Sequence, residues 1–182
     1  MNSGSVLLLV DVQANMFDPA SPVAGAAPLL GRLRDLLHRA RGAGVPVVFV
    51  RNCGGAGDPD VPGSPGWQLH AELAPGDGEL ILDKTTCNTF ASTELAAVLE
   101  SSRLTHLVIA GLQSEYCIRE TTLGALEMGY GGALASDGHS TYDSRDRKAA
   151  TIVAAVNDEL SSRVTLVPAE KISFVEQRTF RT

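Results

Sequence analysis

Six short runs, apolar almost throughout, are spaced along this chain: VLLLV at 6–10, VPVVFV at 45–50, ELIL at 79–82, HLVIA at 106–110, GALAS at 132–136 and VTLV at 164–167. A strand with one wet face alternates apolar and polar residues. These runs do not, so they predict strands covered on both faces, as in a parallel sheet. Between them the period becomes helical. In LLGRLRDLLHRAR, Leu29, Leu33, Leu36, Leu37 and Ala40 share one face, with arginines opposite. STELAAVLESS carries Leu95, Val98 and Leu99, with Ser92 or Thr93 placed to cap it. RKAATIVAAVNDEL aligns Ala149, Ile152, Val153, Val156 and Leu160, with Asp143 or Ser144 as N-cap. Strands alternating with helices predict a doubly wound α/β sheet with helices on both sides.

The length, 182 residues, suits a single domain spanning 1–182. A net charge of −6 and no basic patch argue against a nucleic-acid partner. The N-terminal apolar run is too short to span a bilayer and is cut by Asp11, so it reads as a buried first strand and not a membrane segment. Cys53, Cys87 and Cys117 lie far apart with no metal-like spacing. That favours free thiols in a reduced, cytoplasmic setting. No G-x-G-x-x-G follows the first strand, which removes the phosphate cradle of a dinucleotide enzyme. The stretch NCGGAGDPDVPGSPGWQLH, at 52–70, predicts a long surface loop. The tail 173–182 carries Phe174, Val175 and Phe180, which would suit either fraying or docking on a partner subunit.

In an open parallel sheet, ligands bind beyond the carboxyl ends of the strands. Asp11 ends the first strand, Lys84 follows the third, and Cys117 follows the fourth across the short loop GLQSEY. A cysteine in the first turn of a helix faces backbone N–H groups that have no intrahelical partner. Those groups favour a thiolate and can hold the oxyanion formed when it attacks a carbonyl. A carboxylate nearby can take the thiol proton, and an ammonium can orient it. Asp11, Lys84 and Cys117 therefore form a nucleophilic set without histidine.

Three segments carry a family resemblance. LLLVDVQANMF looks like the D-x-Q motif of the isochorismatase-like cysteine hydrolases. LDKTTCNTFASTEL resembles their K-x-x-x-(N/S)-x-F-x-x-T-x-L segment, and LVIAGLQSEYCIRETTLGALEMGY their G-x-x-(T/S)-(D/E)-x-C-V-x-x-T segment. The resemblance implies a Rossmann-like, three-layer α/β/α sandwich around a six-stranded parallel sheet. It implies Asp11 as general base, Lys84 as orienting cation and Cys117 as nucleophile. It also implies a non-proline cis peptide at Leu112–Gln113, with the N–H groups of Gln113 and Cys117 as the oxyanion hole. Relatives are usually dimers or tetramers, so a homodimer or homotetramer is implied by resemblance.

True isochorismatases look as if glycine replaces the cysteine, so Cys117 points to hydrolysis of an amide-type C–N bond in a small molecule. Nicotinamidases carry D-x-H and a further metal histidine. The equivalent VRNCGGAGDPD has none, and Asp58, Asp60 and His70 are poorly spaced as ligands, so neither metal nor other cofactor is expected. Trp67, Phe17 and Tyr116 are candidate pocket walls. His139 follows the fifth strand and is placed to neighbour Cys117 and contact substrate. Gln13 reads as structuring the first loop. The rival reading is a non-catalytic small-molecule binding or interaction protein on the same fold.

Overall fold

The structure, a computed structural model, describes residues 4–174. Its strands are β1 (Gly4–Val10), β2 (Val47–Asn52), β3 (Leu80–Lys84), β4 (Leu104–Leu112), β5 (Gly131–Ser140) and β6 (Thr165–Val167). They form one sheet in the order β3-β2-β1-β4-β5-β6, with every pair parallel. The helices are α1 (Ala26–Gly42), α2 (Thr89–Ser92), α3 (Leu95–Ser101), α4 (Arg119–Glu127) and α5 (Ala149–Leu160).

The pleat of β1 divides the core in two. Leu7 and Leu9 join Phe49 and the inner face of α1 (Leu29, Leu33, Leu36, Leu37, Ala40) on one side of the sheet. Val6, Leu8 and Val10 join Leu95 and Leu99 of α3, Ala125 of α4, and Val156 and Leu160 of α5 on the other. Fully burying each such side chain stabilises by roughly 2 kcal/mol. The three-layer expectation therefore holds, as do all six strands.

The edges depart from the expected pattern. The edge strand β3 alternates instead of being covered throughout: Leu82 and Lys84 are buried, while Ile81 and Asp83 are exposed. At this edge only the face carrying Leu82 and Lys84 is covered, so Ile81 and Asp83 on the opposite face reach solvent. Both β2 and β3 run two residues past the apolar text, and this brings Asn52 and Lys84 into the sheet. The short α2 has no apolar period of its own and starts on a side-chain cap, Asn88 Oδ1 accepting from Phe90 N–H at 3.0 Å. The N-cap of α3 is Glu94, one residue beyond the two options expected, and Thr93 Oγ1 accepts from Leu95 N–H at 3.1 Å just outside it. The chain turns into α5 later than expected. Lys148 is its N-cap, and Asp143 reaches across to accept from Ala149 N–H at 2.9 Å. Phe174 packs on the α1 side of the core; Val175 and Phe180 lie outside the described residues.

Chain order reverses at β1. The chain proceeds to β2 and β3 on one side, then to β4 on the other, so a crevice opens at the carboxyl ends of β1 and β4. Gly111 makes that approach feasible. It sits at φ 129° opposite Val10, and a Cβ there would lie 2.0 Å from the Val10 carbonyl oxygen. Gly111→Ala is expected to destabilise the fold by about 3 kcal/mol or more, combining backbone strain with overpacking. A urea titration with an unchanged midpoint would refute this.

Candidate active site

Asp11 is the first residue beyond β1, at φ 51°, and its N–H donates to Val50 O at 2.8 Å. Lys84 closes β3, and the pleat turns its side chain inward beneath the crevice. Cys117 lies in a wide turn, Ser114–Ile118, that feeds α4. The Gln113 carbonyl accepts from the N–H groups of Tyr116 and Ile118, which flank the Cys117 amide. The Leu112–Gln113 peptide bond is cis.

The three side chains converge on the lysine. Lys84 Nζ stands 2.9 Å from Asp11 Oδ2, 3.1 Å from Cys117 Sγ and 3.1 Å from Asn52 Oδ1. An ammonium has three donors, and these three acceptors use them all. Lys84 and Asp11 are 0% and 1% exposed, so their ion pair is sealed from water. Asp11 Oδ1 has no hydrogen-bond partner among the described residues.

Burial pushes the Asp11 carboxyl above its ordinary value, against the pull of Lys84. Burial alone would lower Lys84, but its neighbours, the Asp11 carboxylate foremost, outweigh it and hold the ammonium on. The Cys117 thiol is pushed well up by burial and by the Asp11 charge, beyond what Lys84 recovers. A resting thiolate, expected from the helix start, is therefore not what this environment favours. One ammonium balances one anion, and a second buried anion costs too much. The site favours a single anion, not two, beside Lys84.

Asn52 escaped the reading of the sequence. Its side chain bridges Lys84 and Asp60, donating to Asp60 Oδ2 at 2.8 Å, while its N–H donates to Gln13 Oε1 at 2.8 Å. Gln13 is fully buried and returns two bonds, to Asn52 O at 3.0 Å and Trp67 O at 3.1 Å. It thus ties the ends of β1 and β2 to the long loop, the structuring role expected of it. Only the two-residue extension of β2 could have flagged Asn52.

Beyond the three lies a cavity of about 330 Å³, lined among others by Asp11, Asn52, Asp60, Gln113, Tyr116 and Cys117. Tyr116 lines the cavity and is half exposed. Trp67 and Phe17 do not line it. Arg51 stacks over Trp67 at 3.6 Å, fixing the loop, and Phe17 turns into the core edge-on to His70 at 5.0 Å. Met16, Asn15 and Tyr142 take their place at the rim. His139 is also displaced from its expected role. It is 3% exposed, with Ser114 Oγ at 2.8 Å from Nδ1 and Asn157 Oδ1 at 3.1 Å from Nε2. Asn157 Nδ2 donates to Ser136 O, so its oxygen faces the ring and Nε2 is the protonated nitrogen. Burial lowers its pKa and keeps it neutral, bracing the Cys117 turn. His70 accepts from Glu72 N–H at 3.3 Å. Among the described residues no three His, Cys, Asp or Glu side chains gather as metal ligands.

The second motif packs against the third. Thr89 and Thr121 hydroxyls meet at 2.9 Å, and Thr121 Oγ1 also donates to Cys87 O. Gly124 leaves room for the Asn88 amide, which a Cβ would meet at 2.5 Å. These contacts hold Cys87 at the cavity rim.

Comparison with known proteins identifies the family and the fold. The profile of the isochorismatase domain matches residues 5–162. A streptothricin hydrolase of Streptomyces noursei is 44% identical over 137 residues, covering 75% of this chain and 50% of that protein. The chain spans about half the length of the two streptothricin hydrolases it matches. A ureidoacrylate amidohydrolase of Stutzerimonas stutzeri is 25% identical, with 74% of this chain and 69% of that protein covered. The solved structure of an isochorismatase hydrolase from Oleispira antarctica superposes with a TM-score of 0.87 at 31% identity, over 94% of this chain and 96% of that one. With matching motifs, matching fold and a domain profile over most of its length, the chain belongs to the isochorismatase family.

Proposed function

We propose that the protein is a cysteine hydrolase that cleaves an amide-type C–N bond in a small molecule through a thioester on Cys117. The observation that carries this reading is the Lys84 ammonium, buried behind the cavity wall and in contact with two residues that line it, the Asp11 carboxylate and the Cys117 sulfur. The relatives named as a hydrolase and an amidohydrolase support the reaction class.

The charge balance sets the order of events. Asp11 accepts the Cys117 proton as sulfur attacks the carbonyl carbon, so one anion is exchanged for another beside Lys84. The negative charge moves to the carbonyl oxygen, where the N–H groups of Gln113 and Cys117 receive it. The C–N bond breaks and Asp11 returns its proton to the departing nitrogen. Asp11 then takes a proton from water, whose oxygen attacks the thioester and frees the acid product and the thiol. Lys84 stays protonated throughout.

Alkylation of Cys117 by one equivalent of iodoacetamide, read by peptide mass mapping, tests the assembly. In Lys84→Met the thiol loses its neighbouring cation, and labelling is expected to slow on the order of tenfold. In Asp11→Asn the anion opposing the thiolate is gone while Lys84 remains, so labelling is expected to speed up even as turnover collapses. Equal labelling rates in all three proteins would remove the proposal's basis.

A further inference from the structure

The cavity is one-sided in its chemistry. Besides Asp11, whose charge is matched by Lys84, its lining holds two further carboxylates, Asp58 and Asp60. No lysine, arginine or histidine lines it among the described residues. Asp60 is 6% exposed, and among the described residues its side chain takes a single hydrogen bond, from Asn52 Nδ2 to Oδ2. Its other oxygen is folded over Gly54, where a Cβ would come within 2.2 Å of it. Asp58 is fixed by Gly55 N–H at 2.7 Å. Asn15 adds a further acceptor to the same wall, for its buried Oδ1 has no partner. The amide that might have offset these, Gln113, is already oriented: Oε1 accepts from Thr141 at 3.2 Å and Nε2 points to Met16 Sδ at 3.9 Å.

A largely buried carboxylate beside a cavity, with one oxygen left without a protein donor, favours a counter-charge there. An anionic substrate would meet Asp58 and Asp60 with nothing to neutralise it. We propose that this cavity selects substrates that carry a positive charge, an alkylammonium or guanidinium group, beside the scissile amide, with Asp60 and Asp58 as the specificity-determining residues. The proposal rests on the reading of Cys117 as the nucleophile at the cavity floor. The Asp60 charge is felt inside the cavity: after burial and Asp18, it contributes to the rise of the Tyr142 hydroxyl above its ordinary value.

The test uses three small thiol reagents of one reaction type: 2-aminoethyl methanethiosulfonate (cation), 2-sulfonatoethyl methanethiosulfonate (anion) and methyl methanethiosulfonate (neutral). Peptide mass mapping separates modification of Cys117 from that of Cys53 and Cys87. The cation-to-anion rate ratio at Cys117 cancels any change in the thiol's own reactivity. At low salt the ratio is expected to be on the order of thirtyfold and to fall as salt is added. Asp60→Asn and Asp58→Asn are each expected to lower it by about fivefold. Asp77→Asn, an equal change in net charge at an exposed site, should leave it unchanged. If Asp60→Asn does not fold, Asp58→Asn and the wild-type salt dependence decide. A wild-type ratio near one, or a ratio indifferent to both cavity variants, overturns the proposal. That failure is distinct from failure of the hydrolase reading, which shows as Cys117 alkylation unaffected by Asp11→Asn and Lys84→Met.

Discussion

Cys117→Ala is expected to leave a folded protein whose turnover of an amide substrate is down at least about 10⁴-fold, the scale seen when a covalent nucleophile is removed. The fold survives because the residue contributes little to packing: it is half-buried and touches only the edge of the apolar cluster that α4 shares with β4. Lys84 loses one of three acceptors but keeps Asp11 and Asn52, so no buried charge is stranded. Chemistry does not survive, because nothing else at the cavity floor can accept an acyl group with a base beside it. Cys87 lines the cavity, but among the described residues its thiol shares no hydrogen bond with a carboxylate or ammonium, unlike Cys117 with Lys84. Cys117→Ser tests the base separately. A hydroxyl is far harder to deprotonate than a thiol, and Asp11 is a carboxylate whose basicity is raised chiefly by burial while Lys84 opposes the rise, so the serine variant should also be inactive. The measurement is turnover over a panel of small linear and cyclic amides, beside a thermal melt. A melt near that of the wild type with turnover intact in Cys117→Ala would end the thioester mechanism.

What the sequence disclosed, and what it hid, follows from how each feature is encoded. The strands were legible because burial on both faces writes itself as uninterrupted apolar text, and β1, β4 and the α1 face needed no tertiary information. Asp11, Lys84 and Cys117 were legible because they follow such text closely, Asp11 at once, Lys84 after one residue and Cys117 across a six-residue loop. Strand ends were not, since the polar residues Asn52, Asp83 and Lys84 belong to the sheet by hydrogen bonding rather than by hydrophobicity. Asn52 was hidden for that reason, although it holds Lys84 as firmly as any residue. The fate of rim residues depends on where a long loop folds. Trp67 is claimed by Arg51 and Phe17 by the core, whereas Asp60, read only as a doubtful metal ligand, is turned into the cavity through Asn52. His139 was misplaced because β5 continues past its apolar run. Between Ile109 and Gly111 of β4, β5 advances from Leu134 to His139, and that irregularity buries the imidazole beneath the Cys117 turn. The thiol's protonation was equally invisible, because it depends on burial and on the distance to Asp11, neither of which the order of residues states.

Lys84→Met is expected to lose about 3–5 kcal/mol of stability near neutral pH, the cost of leaving one member of a buried ion pair without its partner. Met fills much of the lysine volume, so the loss is electrostatic and should depend on pH. Asp11 is already pushed upward by burial while Lys84 opposes it; without Lys84 it rises further. An acid whose folded-state pKa lies above its unfolded value, about 3.9, binds more protons when folded across the interval between the two. Stability contributed by that proton is fully present below the unfolded value and is lost as pH rises through the folded one. Lys84→Met should therefore approach wild-type stability near pH 4 and fall away progressively toward pH 8, where the wild-type ion pair remains intact. Asp11→Asn/Lys84→Met removes the stranded charge altogether and should recover most of the loss at pH 8, without recovering activity. Urea titrations of the three proteins at the two pH values decide the matter. A pH-independent loss in the single variant would mean that Lys84 holds the fold by packing. Failure of the double variant to recover would mean that the cost lies in the unpaired polar ends of Asn52 and Cys117, the two other acceptors that Lys84 serves.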